Sequence, residues 1–151
     1  MNKVIASVFG IGYIKGGGTI AAIVTCAVLY LLWQQAWFVN TPYYLLVITI
    51  IVTILGVYTA NKVEPAWGKD SSRVVIDEVA GMLVTMLFIP YNLYFLLAGL
   101  LLFRFFDILK PLYIRRMEAL PGGTGVMMDD ILAGVYANLL LQAAALFYLK
   151  A

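Results

Sequence analysis

Five apolar runs, at residues 19–38, 43–60, 73–89, 92–109 and 130–149, constrain this chain more than any motif does. As helices rising 1.5 Å per residue, they would measure about 26–30 Å, enough to span or nearly span the hydrocarbon core of a bilayer. In that medium every backbone N–H and C=O must find its partner inside the protein, which leaves helices or closed barrels. The strict alternation of a barrel strand is missing, so the runs predict helices. The expected fold is all-α: a polytopic membrane bundle of about five hydrophobic helices. Composition agrees, since 12% of the 151 residues are charged, against about 25% in an ordinary soluble domain. Mean hydropathy is +0.95. The length suits one domain, residues 1–151. The opening "MNKVIASVFGIGYI" begins like a secretory leader but continues into "KGGGT" without a small-residue cleavage site, so it is expected to be retained.

Charge gives the bundle two unlike ends. Lys3 and Lys15 precede the first run, Lys62, Lys69 and Arg73 separate the second from the third, and Lys110, Arg115 and Arg116 separate the fourth from the fifth. The turns "VNTP" and "PYN" carry no charge. The positive-inside rule then puts the N-terminus and both long loops in the cytoplasm. Trp33, Trp37, Tyr43, Tyr44, Tyr91 and Tyr94 flank the outer turns, as an interfacial aromatic belt would. The net charge of +2 is scattered over loops, so a nucleic-acid partner is not expected.

The acids fall on the same cytoplasmic side. "DEVAG" places Asp77 and Glu78 about one turn inside a helix expected to begin near Ser72, too deep for ordinary caps. "DDILAG" places Asp129 and Asp130 at the entrance of the fifth run, where one aspartate could cap and the second adds repulsion. Gly81 and Gly134 each follow an acid by one turn and leave room for a close neighbour. "FRFFDILKP" sets Arg104, Asp107 and Lys110 at successive intervals of three, with Pro111 ending the helix. That stretch reads equally as an interfacial salt-bridge ladder or as a metal ligand beside a phosphate clamp. Membrane-embedded acids mark function by default, and hard divalent cations relieve carboxylate repulsion.

The chain has no histidine and a single cysteine, Cys26, inside an apolar run. A Ser-His-Asp triad is therefore excluded, a cysteine phosphatase lacks its exposed thiolate, and zinc lacks its preferred ligands. Carboxylates with Mg2+ remain, and they suit phosphoryl chemistry at a lipid surface. The glycine-rich stretch "FGIGYIKGGGT" fails both the dinucleotide fingerprint and the P-loop pattern. It reads as a turn that packs closely or as an anion-holding entry to a helix. A transporter or ion pathway would also use buried acids, but would set them at the midplane of broken, repeated helices.

"IDEVAGM", "FRFFDILKPLYIRRME", "GGTGVMMDDILAG" and the early "FGIG…GGGTIAA" together resemble the phosphatidylglycerophosphatase A family of bacterial membrane lipid phosphatases, over nearly the whole chain. The resemblance implies hydrolysis of the terminal phosphate of phosphatidylglycerophosphate, giving phosphatidylglycerol, with magnesium as cofactor. It also implies a multi-pass protein of the bacterial cytoplasmic membrane with its site facing the cytoplasm. Its acidic motif positions match Asp77, Glu78, Asp107, Asp129 and Asp130, and its basic ones Arg104 and Lys110. On that basis Asp77, Asp107, Asp129 and Asp130 are expected to hold metal, Arg104 and Lys110 to bind phosphate, and Glu78 or Asp77 to handle the attacking water. Another lipid-phosphate transferase is the neighbouring alternative, although its D-G-x-x-A-R core is absent. The glycine loop is shorter than the family's usual form at "YIKGGGT", which leaves a role for Lys15–Thr19 open.

Overall fold

A computed structural model describes residues 1–39, 41 and 43–148. Among these the protein is helical, with no strand. The order is α1 (Asn2–Ala6), a 3-10 turn (Ile11–Tyr13), α2 (Gly17–Trp33), α3 (Ala36–Val39), α4 (Tyr43–Trp67), α5 (Ile76–Thr85), α6 (Leu93–Leu109), α7 (Ile114–Met117) and α8 (Gly122–Tyr148). Asn40 and Pro42 of the expected outer turn, and Leu149 at the end of the fifth run, lie outside the described residues.

Helix α5 is the axis around which the others pack, with α8, α4, α2 and α6 against it. Its residues from Ala80 to Thr85 are buried, and Met82, Met86, Leu29 and Phe103 fill the interior. The outer faces are apolar as well. Ile50, Ile51 and Ile54 on α4, Leu97 and Leu101 on α6, and Leu139, Leu140 and Leu146 on α8 are all exposed. Soluble monomers rarely leave so much contiguous hydrocarbon uncovered.

The five-span expectation holds by length for two helices. α4, with 25 residues, and α8, with 27, are long and apolar enough to cross a membrane. α2 and α6 have 17 residues each. The third run is the clear correction: α5 has only ten residues, about 15 Å of helix. Its apolarity reflects burial of most of the helix against α8, α4, α2 and α6. Its early end is satisfied by side chains of α8. The Asn138 amide donates to the carbonyls of Thr85, at 2.9 Å, and Leu87, at 2.8 Å. Gln142 donates to Leu87 and Phe88 at 3.2 and 3.3 Å. The Thr85 carbonyl that the helix end leaves orphaned, and the Leu87 and Phe88 carbonyls of the turn after it, are thus paired with α8. Asn138→Leu should lower stability by about 1–3 kcal/mol through those unpaired carbonyls, read as a lower unfolding midpoint in detergent. An unchanged midpoint would mean that water already reaches them.

The bundle's ends differ as the charge pattern predicts. At one end, Trp33 stacks near Tyr91, Trp37 near Tyr44, and Phe95 near Tyr148, with ring centroids 5.3, 5.7 and 5.5 Å apart. At the other, Lys3 lies over the Trp67 ring and Arg73 over Tyr13, each 5.9 Å from the ring centre. The acids of interest cluster at this second end.

Candidate active site

Three helices build the site. The first turn of α5 brings Asp77 and Glu78, the last turns of α6 bring Arg104 and Asp107, and α8 brings Asp129 and Asp130. Asp77, Asp107, Asp129 and Asp130 are buried. The two helix positions are the reverse of the sequence expectation. Asp77 and Glu78 stand in the first turn, because α5 starts at Ile76 rather than near Ser72. Asp129 and Asp130 lie two turns inside, because α8 starts at Gly122. Capping therefore cannot explain the doubled aspartate. The "GGTG" stretch looks like a turn by propensity, but it is recruited into helix by packing. A side chain at Gly123 would run into α4 near Ala60 and Asn61, and the Gly123 N–H donates to Asn61 Oδ1 at 2.8 Å.

One carboxylate oxygen from each of Asp77, Glu78 and Asp130 lies within 4.8 Å of the others. Glu78 Oε2 and Asp130 Oδ2 are buried without any hydrogen-bond partner. Three acids so close repel one another, and the two orphaned oxygens face no protein donor. A hard cation resolves both problems, since such ions take carboxylate oxygens as ligands. The donor set, all oxygen and close together, fits a metal.

The bases are distributed more specifically than sequence spacing shows. Arg104 Nη1 pairs with Asp107 Oδ2 one turn along α6 and lies 3.9 Å from Glu78 Oε1. The expected i, i+3 contact therefore forms. Lys110 does not extend that ladder. It caps α6 in a left-handed conformation, φ 46°, directly before Pro111. From there its Nζ reaches Asp129 Oδ2 and Glu118 Oε1, both at 2.6 Å. Burial works against the lysine's charge, but the hydrogen bonds and charges of Asp129 and Glu118 outweigh it and raise its pKa. Asp107 and Asp129 are thus each paired with a base. Lys110 is occupied by two carboxylates.

A cavity of about 570 Å³ opens beside the cluster. Glu78 and Arg104 line it, together with Ser72, Arg73 and the glycine-rich stretch from Gly12 to Thr19, which includes Lys15. Lys15 and Arg73 have no acidic partner among the described residues. The loop is held close: a Cβ at Gly12 would strike the Arg73 carbonyl, and one at Gly18 would strike the Glu78 carboxylate. This recovers a place for the glycine stretch that sequence left open. Arg73 and Glu118 were not singled out as site residues. Arg73 meets Tyr13 sixty residues away, and Glu118 meets Lys110 across the turn that follows α6, so no helical spacing announces either.

The site places this protein among all-helical bundles that set a buried carboxylate cluster, able to hold a metal ion, beside a cavity lined by Lys15, Arg73 and Arg104. The comparisons with known proteins give the family. Residues 4–145 match the phosphatidylglycerophosphatase A family, and the chain belongs to it, a family of phosphatases. A protein of Bacteroides thetaiotaomicron named as a putative phosphatidylinositol-3-phosphatase is 42% identical over 85% of this chain and 80% of its own length. Phosphatidylglycerophosphatase A of Haemophilus influenzae is 40% identical over 65% of this chain, and that of Escherichia coli 36% over 68%. The matches span 62% and 61% of those two proteins, less than two thirds of each. No solved structure matches.

Proposed function

We propose that the protein is a magnesium-dependent lipid phosphatase that releases the terminal phosphate of phosphatidylglycerophosphate, leaving phosphatidylglycerol. Family membership supports the reaction class. The observation that carries the chemistry is the trio Asp77, Glu78 and Asp130, with two orphaned oxygens, beside a cavity that also presents Arg104, Arg73 and Lys15.

In this reading Asp77, Glu78 and Asp130 would hold the metal. When bound, magnesium neutralises phosphate charge and lowers the pKa of a water. Arg104 faces the phosphate oxygens, its planar fork suited to a phosphomonoester. Asp107, paired with Arg104, keeps that guanidinium oriented. Lys110 holds Asp129 and the α7 loop through Glu118, so its effect on phosphate is indirect. Glu78, which lines the cavity, is placed to orient the attacking water or accept its proton. In this reading the protein is multi-pass in the bacterial cytoplasmic membrane with this end of the bundle in the cytoplasm, which the lysine and arginine distribution supports. The transporter alternative finds no support in acids gathered at one end of the helices.

A second reading has its own observation. The 42% identical Bacteroides relative is named for a phosphoinositide, so a phosphorylated inositol lipid is the rival substrate. Both candidates carry a phosphomonoester on a polyol that is itself esterified to a lipid phosphate. Phosphate release from each lipid, by purified protein with magnesium and with chelator, decides between them. The expected result is turnover of phosphatidylglycerophosphate that stops with chelator and returns with magnesium. Turnover indifferent to chelator overturns the metal assignment, and faster release from the inositol lipid replaces the substrate.

A further inference from the structure

An apolar cleft of about 200 Å³ lies between α2 and α4, with α5 as its floor. Val24, Val28 and Leu32 form one wall, Ile48 and Val52 the other, and Val79 lies at the bottom. Thr25 is the one polar residue of the lining, and its hydroxyl donates to the Ala21 carbonyl at 2.8 Å. The cleft therefore offers a guest no free side-chain donor. It is also open from the side, since Val24 and Val28 are 39% and 50% exposed on the outer surface of the bundle.

The cleft and the cationic cavity share two helices. On α2, Gly17–Thr19 line the cavity, and the cleft begins at Val24, about one and a half turns farther along. On α5, Glu78 lines the cavity and Val79, the next residue, lines the cleft. A charged chamber beside a hydrocarbon-lined cleft, the two bordered by successive residues of α5, matches an amphiphile with a phosphorylated head and an alkyl tail. We propose that this cleft seats an acyl chain of the lipid phosphate whose head group occupies the cavity. The inference rests on the phosphatase reading and adds to it the part of the substrate that does not react. Bilayer tails are already surrounded by hydrocarbon, so the cleft gains little from hydrophobicity as such. Its contribution is positional: a tail held between α2 and α4 fixes the depth and rotation of the head group beside Glu78 and Arg104.

Val28→Trp fills the cleft from an exposed position, and Ile23→Trp, 49% exposed on the same helix but away from the lining, is its control. Against long-chain phosphatidylglycerophosphate in detergent, Val28→Trp should raise KM about tenfold, with kcat/KM on the deacylated, water-soluble head group unchanged. Ile23→Trp should change neither. A second arm needs no turnover: phosphatidylglycerophosphate bearing a diazirine in mid-chain should label the Val24–Leu32 segment of the unsubstituted protein, and Val28→Trp should abolish that label. An unchanged KM, an equal loss on both substrates, or labelling confined to other helices overturns the acyl cleft. Labelling of this segment by a protein that releases no phosphate would overturn the enzymatic reading and leave the cleft standing.

Discussion

Asp130→Asn is expected to reduce phosphate release by about 100- to 1,000-fold, while making the metal-free protein more resistant to heat. Both signs follow from one contact. Asp130 meets Asp77 and Glu78 with oxygens inside 4.8 Å, and carboxylates crowded there without metal must either repel or take up protons, at a cost to the folded state in both cases. The amide removes that repulsion without changing side-chain size. It also removes a ligand. Saturating magnesium at about a hundred times its Kd stabilises the native state by about 2.7 kcal/mol, and this rise should shrink or vanish in the variant. Thermal unfolding in detergent, with chelator and with magnesium, separates the effects. The unsubstituted protein should gain stability with metal; Asp130→Asn should start higher and gain little. A variant that still responds to magnesium as the native protein does would remove Asp130 from the metal site, whatever its activity.

Much of this site is legible in sequence because lipid leaves few options for acids. Apolar runs set the helices, the basic loops set one end apart, and acids on three different runs had to meet there. Gly81 and Gly134, one turn after Asp77 and Asp130, likewise signal a close approach. The hidden part depends on tertiary partners. The third run reads as a span because residues buried by four helices and residues facing lipid are equally apolar. Only the Asn138 and Gln142 amides on α8, pairing carbonyls 51 to 55 residues away, reveal that α5 stops early. The α8 boundary fails for a related reason: glycines that look like a turn are there to let α4 approach. Side-chain roles are the least legible. Asp107 and Asp129 have the same chemistry as Asp77 and Asp130, and only the nearby Arg104 and Lys110 set them apart.

Gly134→Val should produce the largest structural loss of any single substitution near the site, on the order of 3 kcal/mol. A Cβ at Gly134 would collide with the Gly81 carbonyl oxygen and come within 3.1 Å of its carbonyl carbon and of Val84 Cβ. The obstacle is backbone, so no rotamer change relieves it. Gly81 is equally confined from the other side, where a Cβ would strike the Phe103 ring and lie 2.7 Å from the Asp130 carbonyl. α5 and α8 can accept a valine only by separating. Asp130 lies one turn before Gly134 on the same face, so separation also draws its carboxylate away from Asp77 and Glu78. Activity should therefore fall further than the folded fraction does, and the magnesium-dependent gain in stability should fall with it. Gly134→Ala should be intermediate on every measure, and Leu139→Val, on the exposed face of α8, close to neutral. Native unfolding midpoint and turnover in Gly134→Val would mean that α5 and α8 do not cross here, and the three-acid site would lose the contact that assembles it.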